Sequence, residues 1–248
     1  MTNKADFITS QNNRNIAYHY SPGSGPTVVF CGGYMSDMEG TKALFLEKTC
    51  QELGLSYIRF DYSGHGSSSE KFEDGTIATW SEDAISIIDQ VSDGPLIVIG
   101  SSMGGWIGLL TCLARKTRIK AFIGIAVAPD FTRELMWDQY SDGIRETLKR
   151  DGIYLDPSDY SDEPYRVSYA LIKDGENHIL LNKPIELNCP VRLFHGLEDK
   201  SVPHEYSARV AEKLTSEDVI VSYKKLGDHR LSTEADLERL KQALLEFL

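Results

Sequence analysis

Residues 96–106 read Leu96-Ile97-Val98-Ile99-Gly100-Ser101-Ser102-Met103-Gly104-Gly105-Trp106. The first four residues are apolar and predict a buried strand, and the apolar segment that follows predicts a helix directly behind it. Between them lies the pattern Gly-x-Ser-x-Gly, which is typical of a nucleophile on a sharp strand-to-helix turn. Glycine suits so tight a turn because it has no Cβ. Ser102 is therefore the candidate nucleophile, the alternative being a turn in which Ser102 only caps the helix.

Apolar runs and amphipathic segments alternate through the rest of the chain. We predict strands at Thr27–Cys31, Ser56–Phe60, Pro95–Ile99, Ile119–Ala126, Val191–Phe194 and Val219–Lys224. We predict helices at Glu39–Glu52, Thr76–Val91, Ser102–Ala114, around Glu205–Leu214 and at Thr233–Leu248. Strands that are apolar on both faces indicate a mostly parallel sheet with helices on both sides. The predicted fold class is a three-layer α/β fold.

The length of 248 residues suits a single domain spanning 1–248. The alternation breaks between about 129 and 187, where Asp, Tyr and turn residues are frequent, and we predict a small inserted cap there. Its larger apolar side chains either line an acyl pocket or pack the cap onto the core: Phe131, Leu135, Met136, Trp137, Tyr140, Tyr154, Tyr160, Tyr165 and Tyr169.

The composition excludes several classes of function. The chain has 26 Lys and Arg against 37 Asp and Glu, a formal net charge of −11, which repels nucleic acid and anionic membranes. No apolar run is long enough to span a bilayer. The first six residues show neither a secretory signal nor an Arg-rich presequence. The four scattered cysteines indicate reduced, buried thiols rather than a metal site, so we expect a cytoplasmic protein.

A serine nucleophile needs a base to accept its proton and a carboxylate to orient that base. On a fold of this kind the acid and then the histidine follow the serine along the chain. His229 is the predicted base because it lies in a polar loop between the last strand and the last helix, and His204 is the alternative. Asp199 is the predicted acid because it follows a strand that ends at His195-Gly196, and Asp130 is the alternative.

The anionic intermediate of acyl transfer requires two preorganised N–H donors. The first predicted donor is the backbone N–H of Met103, directly after the nucleophile. We expect the second from the loop Gly32-Gly33-Tyr34-Met35-Ser36, which follows the first predicted strand. The predicted residue is Tyr34, with Gly33 as the alternative.

Several motifs together resemble the α/β-hydrolase superfamily. They are Gly32-Gly33-Tyr34-Met35-Ser36, Arg59-Phe60-Asp61-Tyr62-Ser63-Gly64-His65-Gly66-Ser67-Ser68, Gly100-Ser101-Ser102-Met103-Gly104-Gly105-Trp106 and His195-Gly196-Leu197-Glu198-Asp199-Lys200-Ser201-Val202-Pro203. With Gly40-Thr41-Lys42-Ala43 and Asp228-His229-Arg230 they are similar, more narrowly, to the branch that contains a mitochondrial palmitoyl-protein thioesterase and acyl-glucuronide esterase. The chain departs from many members in having Cys31-Gly32 where they have His-Gly before the oxyanion donor.

The resemblance implies an α/β-hydrolase fold and a serine esterase or thioesterase that uses no metal or organic cofactor. Its substrate would be a small molecule or an acylated protein, and its oligomeric state stays open. The same three side chains also serve C–C bond hydrolases and cofactor-free haloperoxidases, so these remain alternatives, as does a non-catalytic binding protein of this fold. Hydrolytic dehalogenation is excluded because it requires a carboxylate where this chain has Ser102.

Overall fold

The computed structural model describes residues 4–157 and 164–248. The beginning of the N-terminal stretch interpreted above, residues 1–3, lies outside the described residues, as does Tyr160 of the predicted cap. The strands are β1 (Asp6–Thr9), β2 (Asn15–Ser21), β3 (Ser24–Cys31), β4 (Leu55–Phe60), β5 (Leu96–Ser101), β6 (Ile119–Ile125), β7 (Ile153–Asp156), β8 (Tyr165–Ser168), β9 (Val191–Gly196) and β10 (Val219–Lys224). The helices are α1 (Thr41–Leu53), α2 (Ile77–Val91), α3 (Met103–Ala114), α4 (Asp142–Asp151), α5 (Tyr169–Gly175), α6 (Glu205–Lys213) and α7 (Glu234–Leu245), with a π-helical turn at Thr132–Trp137.

The central sheet has the strand order β1-β2-β4-β3-β5-β6-β9-β10. From β4 to β10 all neighbouring strands are parallel, whereas β1 and β2 join at one edge in antiparallel pairs. Since the carboxyl ends of parallel strands lie at one edge of a sheet, the loops after β3, β5, β6 and β9 meet there. That edge carries the motifs singled out in the sequence.

Side chains alternate between the two faces of the sheet and enter two separate cores. On one face Val98 packs in a cluster that includes Trp80 of α2 and Trp106 of α3. On the other face Ile97 packs in a cluster that includes Leu46 of α1 and Leu244 of α7. Because both faces are covered by helices, the predicted three-layer arrangement is confirmed.

The strands and helices predicted for the central sheet are present, with ends that differ by a few residues. The sequence analysis missed β1 and β2, which precede the first predicted strand. β1 has four residues, of which only Ile8 is buried, so its apolar pattern is too short to reveal a period. Thr76 caps α2 through a hydrogen bond from the backbone N–H of Thr79 at 3.2 Å, and Thr233 caps α7.

The segment between β6 and β9 is more regular than its composition indicated. It contains the π-helical turn, α4, the β7-β8 hairpin and α5. Ser141 caps the start of α4, and Gly152 ends it with a left-handed φ of 81°. Both residues are ordinary helix-boundary signals that the sequence analysis did not use.

The sequence predicted buried, reduced cysteines and no segment that spans a membrane. All four cysteines are free; Cys31, Cys50 and Cys112 are buried as expected, whereas Cys189 is only half-buried. Over residues 4–157 and 164–248, every helix is too short or too polar to cross a bilayer.

Candidate active site

Ser102 occupies a strained turn between β5 and α3. Its φ of 56° and ψ of −122° lie in a region that residues with a Cβ rarely adopt, at a cost of about 1–3 kcal/mol. Its backbone N–H donates to the carbonyl of Ile125 at 2.9 Å, and its carbonyl accepts from the N–H groups of Gly105 at 2.8 Å and Ala128 at 3.2 Å. The surrounding backbone therefore fixes the strained conformation.

Two glycines allow this turn to lie against the end of β3. A Cβ on Gly104 would lie 2.1 Å from the carbonyl oxygen of Cys31, and a Cβ on Gly100 would lie 2.3 Å from that of Gly104. Both separations are far below van der Waals contact. The glycines of the Gly-x-Ser-x-Gly pattern are thus required by close backbone packing.

The structure brings together the three side chains predicted as nucleophile, base and acid. Nε2 of His229 lies 3.0 Å from Oγ of Ser102, and Nδ1 of His229 lies 2.7 Å from Oδ2 of Asp199. Ser102 and His229 are 127 residues apart in the chain. The arrangement can take a proton from the serine hydroxyl while the carboxylate orients the imidazole.

The Asp199 carboxylate is fully buried and accepts four N–H groups. Oδ1 accepts the backbone N–H groups of Ser201 and Val202, each at 2.9 Å, and Oδ2 lies close to His229 and also 3.1 Å from Nε2 of His195. Burial alone would raise the pKa of Asp199, but the hydrogen bonds from His195, His229 and the backbone hold it well below its usual range. The carboxylate therefore stays ionised.

The loops that carry the acid and the base are hydrogen-bonded to each other. The N–H of Glu198 donates to the carbonyl of Gly227 at 2.9 Å, and a Cβ on Gly196 would lie 2.1 Å from that carbonyl oxygen. Nζ of Lys42 donates to the carbonyl of Arg230 at 2.5 Å, which ties the His229 loop to α1. Burial lowers the pKa of Lys42 to about 8.

The two predicted oxyanion donors border the same space as Ser102. Tyr34, Met103, Ser102 and His229 all line one cleft. A Cβ on Gly33 would lie 3.6 Å from that of Ser102, so the loop after β3 passes directly beside the nucleophile. The backbone N–H groups of Tyr34 and Met103 make no hydrogen bond to any other described residue, which leaves both able to donate into the cleft.

The chain is similar to known proteins over most of its length. Residues 26–171 match a family model described as the alpha/beta hydrolase fold. The chain is 43% identical, over 94% of its length and 76% of the relative's, to the human protein named palmitoyl-protein thioesterase ABHD10, mitochondrial. The chain belongs to the α/β-hydrolase family. The predicted resemblance is confirmed.

Solved structures of this hydrolase family superpose closely on the chain. A structure from Agrobacterium vitis S4, described as that of a hydrolase, matches with a TM-score of 0.95 and 36% identity over 98% of each chain. The mouse alpha/beta hydrolase domain-containing protein 10 matches with a TM-score of 0.91 and 38% identity over 98% of each chain. The expected α/β-hydrolase fold is confirmed.

The cytoplasmic location predicted from the sequence gains no support from these relatives. The name of the human relative describes that protein as mitochondrial. The location of this hydrolase stays a prediction.

The cleft of the hydrolase has a volume of about 640 Å³ and is lined by both apolar and polar side chains. Its apolar lining, here called the apolar wall, includes Phe131, Leu135, Met136 and Val202. Its polar lining, here called the polar wall, includes Thr41, Lys42, Arg230 and Ser232. Such a mixed lining suits a substrate with an apolar acyl part and a polar leaving group.

Some of the apolar and aromatic residues expected in the cap line the cleft, and others pack within the segment between β6 and β9. Phe131 and Tyr165 line the cleft with Leu135 and Met136. Trp137, Tyr140, Tyr154 and Tyr169 are not cleft residues and pack within the segment; for example, the hydroxyl of Tyr140 donates to Asp156 at 2.7 Å.

Sequence reasoning missed the structural role of Asp61. Its buried carboxylate accepts the backbone N–H groups of Met38 at 2.7 Å and Ser67 at 2.8 Å. It thereby connects the turn after β4 to the loop after β3, which carries the predicted oxyanion donor Tyr34. The role could have been predicted from the position of Asp61, because it directly follows a buried strand and begins a turn-rich loop.

The alternative base, His204, is not among the residues that line the cleft with Ser102. The His204 ring packs edge-on against Tyr223, with centroids 5.7 Å apart.

The alternative acid, Asp130, serves another purpose. Its buried carboxylate accepts the backbone N–H groups of Leu180 and Leu181, each at 2.8 Å. These bonds join the two ends of the segment between β6 and β9.

Asparagine substitutions, which keep the shape of the side chain, distinguish the roles of Asp130 and Asp199. Asp130→Asn places an NH₂ group among N–H donors, so we expect the free energy of unfolding to fall by about 1–3 kcal/mol while kcat stays near wild type. Asp199→Asn favours the wrong tautomer of His229, so we expect kcat to fall by roughly 10⁴-fold. Urea denaturation and ester hydrolysis measure both effects. A large loss of kcat in Asp130→Asn, with activity retained in Asp199→Asn, would reverse the assignment.

Proposed function

We propose that this hydrolase cleaves carboxylic esters or thioesters through an acyl-enzyme formed on Ser102. The observation that carries the proposal is the continuous line of short contacts from Ser102 through His229 to Asp199. Similarity to a protein named palmitoyl-protein thioesterase supports the choice of reaction.

In the acylation step, Nε2 of His229 accepts the hydroxyl proton while Oγ of Ser102 attacks the acyl carbonyl carbon. The N–H groups of Tyr34 and Met103 donate to the oxyanion of the tetrahedral intermediate. As the intermediate collapses, the bond from the acyl carbon to the leaving oxygen or sulfur breaks, and His229 returns the proton to that atom. Asp199 stabilises the imidazolium throughout but stays ionised.

In the second step, water replaces the leaving group beside His229. His229 takes a proton from the water as the oxygen attacks the acyl carbon, and then gives it to Oγ of Ser102 as the acid departs. The reaction uses side chains and backbone amides of the chain together with water, and no metal or organic cofactor takes part.

We further propose that residues 1–248 form one domain in which residues 129–187 are a cap over the cleft. Phe131, Leu135 and Met136 in this segment supply the apolar wall, so the acyl group lies beneath the cap. The polar wall at Lys42 and Arg230 then receives the leaving group of a small-molecule or acylated-protein substrate. The net charge of −11 argues against a nucleic acid or an anionic membrane as partner.

Replacing the nucleophile tests the reaction type. We expect Ser102→Ala to abolish labelling by a fluorophosphonate and to lower kcat by about 10⁶-fold, because Oγ of Ser102 is the hydroxyl that contacts Nε2 of His229. The neighbouring Ser101→Ala variant is the control and should be labelled like the wild type. Undiminished labelling of Ser102→Ala would show that a different residue is the nucleophile.

The acyl part of the substrate is tested with matched p-nitrophenyl esters and acyl thioesters of increasing chain length. Each methylene buried against the apolar wall contributes about 0.8 kcal/mol, so kcat/KM should rise roughly fourfold per methylene until the wall is covered. Thioesters are expected to react at least as well as esters of equal length. A maximum at the acetyl substrates would contradict burial of the acyl chain under the proposed cap.

A further inference from the structure

A second histidine contacts the same carboxylate oxygen of the candidate acid as His229. His195 is the penultimate residue of β9, and its side chain is fully buried. Nε2 of His195 lies 3.1 Å from Oδ2 of Asp199 and 3.0 Å from the carbonyl oxygen of Val202, while Nδ1 lies 2.7 Å from Oγ of Ser207 in α6. The mechanism described above does not use this ring.

These partners determine where the proton on His195 lies. A carboxylate oxygen and a carbonyl oxygen can only accept hydrogen bonds, so Nε2 of His195 must carry the hydrogen. In the neutral ring Nδ1 is then an acceptor, and the hydroxyl of Ser207 donates to it. His195 is thereby fixed as the Nε2–H tautomer by Val202 and Ser207.

His229 binds the same carboxylate oxygen in the opposite tautomer. It donates Nδ1–H to Asp199, and its Nε2 lies 3.0 Å from Oγ of Ser102. His195 has both ring nitrogens engaged and no exposed surface, so it cannot serve as the base for Ser102.

We propose that His195 is a positioning residue, which holds Oδ2 of Asp199 at the distance and angle that His229 requires. The inference rests on the proposed function of Ser102, His229 and Asp199. Two backbone amides donate to Oδ1, so among the residues that the structure describes His229 would be the only donor to Oδ2 without His195. The carboxylate could then turn about its Cβ–Cγ bond, and the orientation of His229 would be lost together with that of Asp199.

A matched pair of substitutions separates the hydrogen bond from the packing. Methionine and glutamine side chains have nearly the same shape. The terminal methyl carbon of methionine and the amide nitrogen of glutamine are each separated from Cβ by the same number of bonds as Nε2 of histidine. Only glutamine has N–H groups there to donate to Asp199.

We expect His195→Met to lower kcat by about 10- to 100-fold, the loss found when outer hydrogen-bond partners of metal-bound histidines are removed. KM should change little because His195 does not line the cleft. His195→Gln should recover most of the lost kcat at an unfolding midpoint similar to that of the methionine variant. The inference is overturned if the two variants have equal kcat, whether that value is wild-type or reduced.

The tautomers give a second measurement that requires no substitution. Long-range ¹H–¹⁵N spectra of the wild-type protein should show a hydrogen on Nε2 of His195 and on Nδ1 of His229. A His195 ring that carries its hydrogen on Nδ1 alone would contradict the inference.

The Ser102→Ala variant distinguishes the two proposals. If it retains activity, the proposed function fails. If it is inactive while His195→Met and His195→Gln match each other, only the role of His195 fails.

Discussion

The buried Asp199 carboxylate is the charge around which the rest of the site is arranged. A carboxylate removed from water is costly unless its lone pairs are satisfied, and here four N–H groups satisfy them. This compensation keeps the group ionised, and an ionised carboxylate orients His229 so that its Nε2 lies 3.0 Å from Oγ of Ser102. In the proposed mechanism, the reactivity of the serine therefore depends on the hydrogen bonds between the two loops rather than on either loop alone.

Part of the backbone strain lies in the loops at the carboxyl edge of the sheet. Positive φ values occur there at Ser102, at Met35 in the loop after β3, at Ala126 and Asp130 after β6 and at Leu231, two residues after His229. Each costs free energy that must be offset by packing elsewhere. The two cores of the sheet supply that packing, and the segment between β6 and β9 adds contacts, such as the hydrogen bond from Nε1 of Trp106 to the carbonyl of His178 at 3.2 Å.

The parallel part of the fold was predictable because strands buried on both faces have continuous apolar sequences. Ser102 was predictable because its turn requires glycines at fixed positions, and Asp199 because it follows a strand end in a loop rich in turn signals. β1 was not, since a short edge strand buries too few side chains to show a period. β2 was not predicted either, because its buried residues, Ile16, Ala17, His19 and Ser21, include polar ones and do not alternate strictly with exposed ones. His195 could not be assigned a role because its partners depend on how β9 packs against α6, which no local pattern encodes.

The segment between β6 and β9 was likewise only partly predictable from the sequence. Ser141 and Gly152 are recognisable helix-boundary residues. Which aromatic side chains face the cleft, however, depends on the path of the chain over the sheet. Phe131 and Trp137 are both large and apolar, yet only Phe131 lines the cleft.

The central claim is that the oriented His229 makes Ser102 a nucleophile that carries the acyl group. The most direct measurement is mass spectrometry of the intact protein, quenched in acid within the first turnover of a slowly deacylated ester, followed by peptide mapping. The account predicts one added acyl group per chain, located on Ser102. An acyl group on another residue, or hydrolysis with no adduct during a demonstrated burst of leaving group, would contradict it.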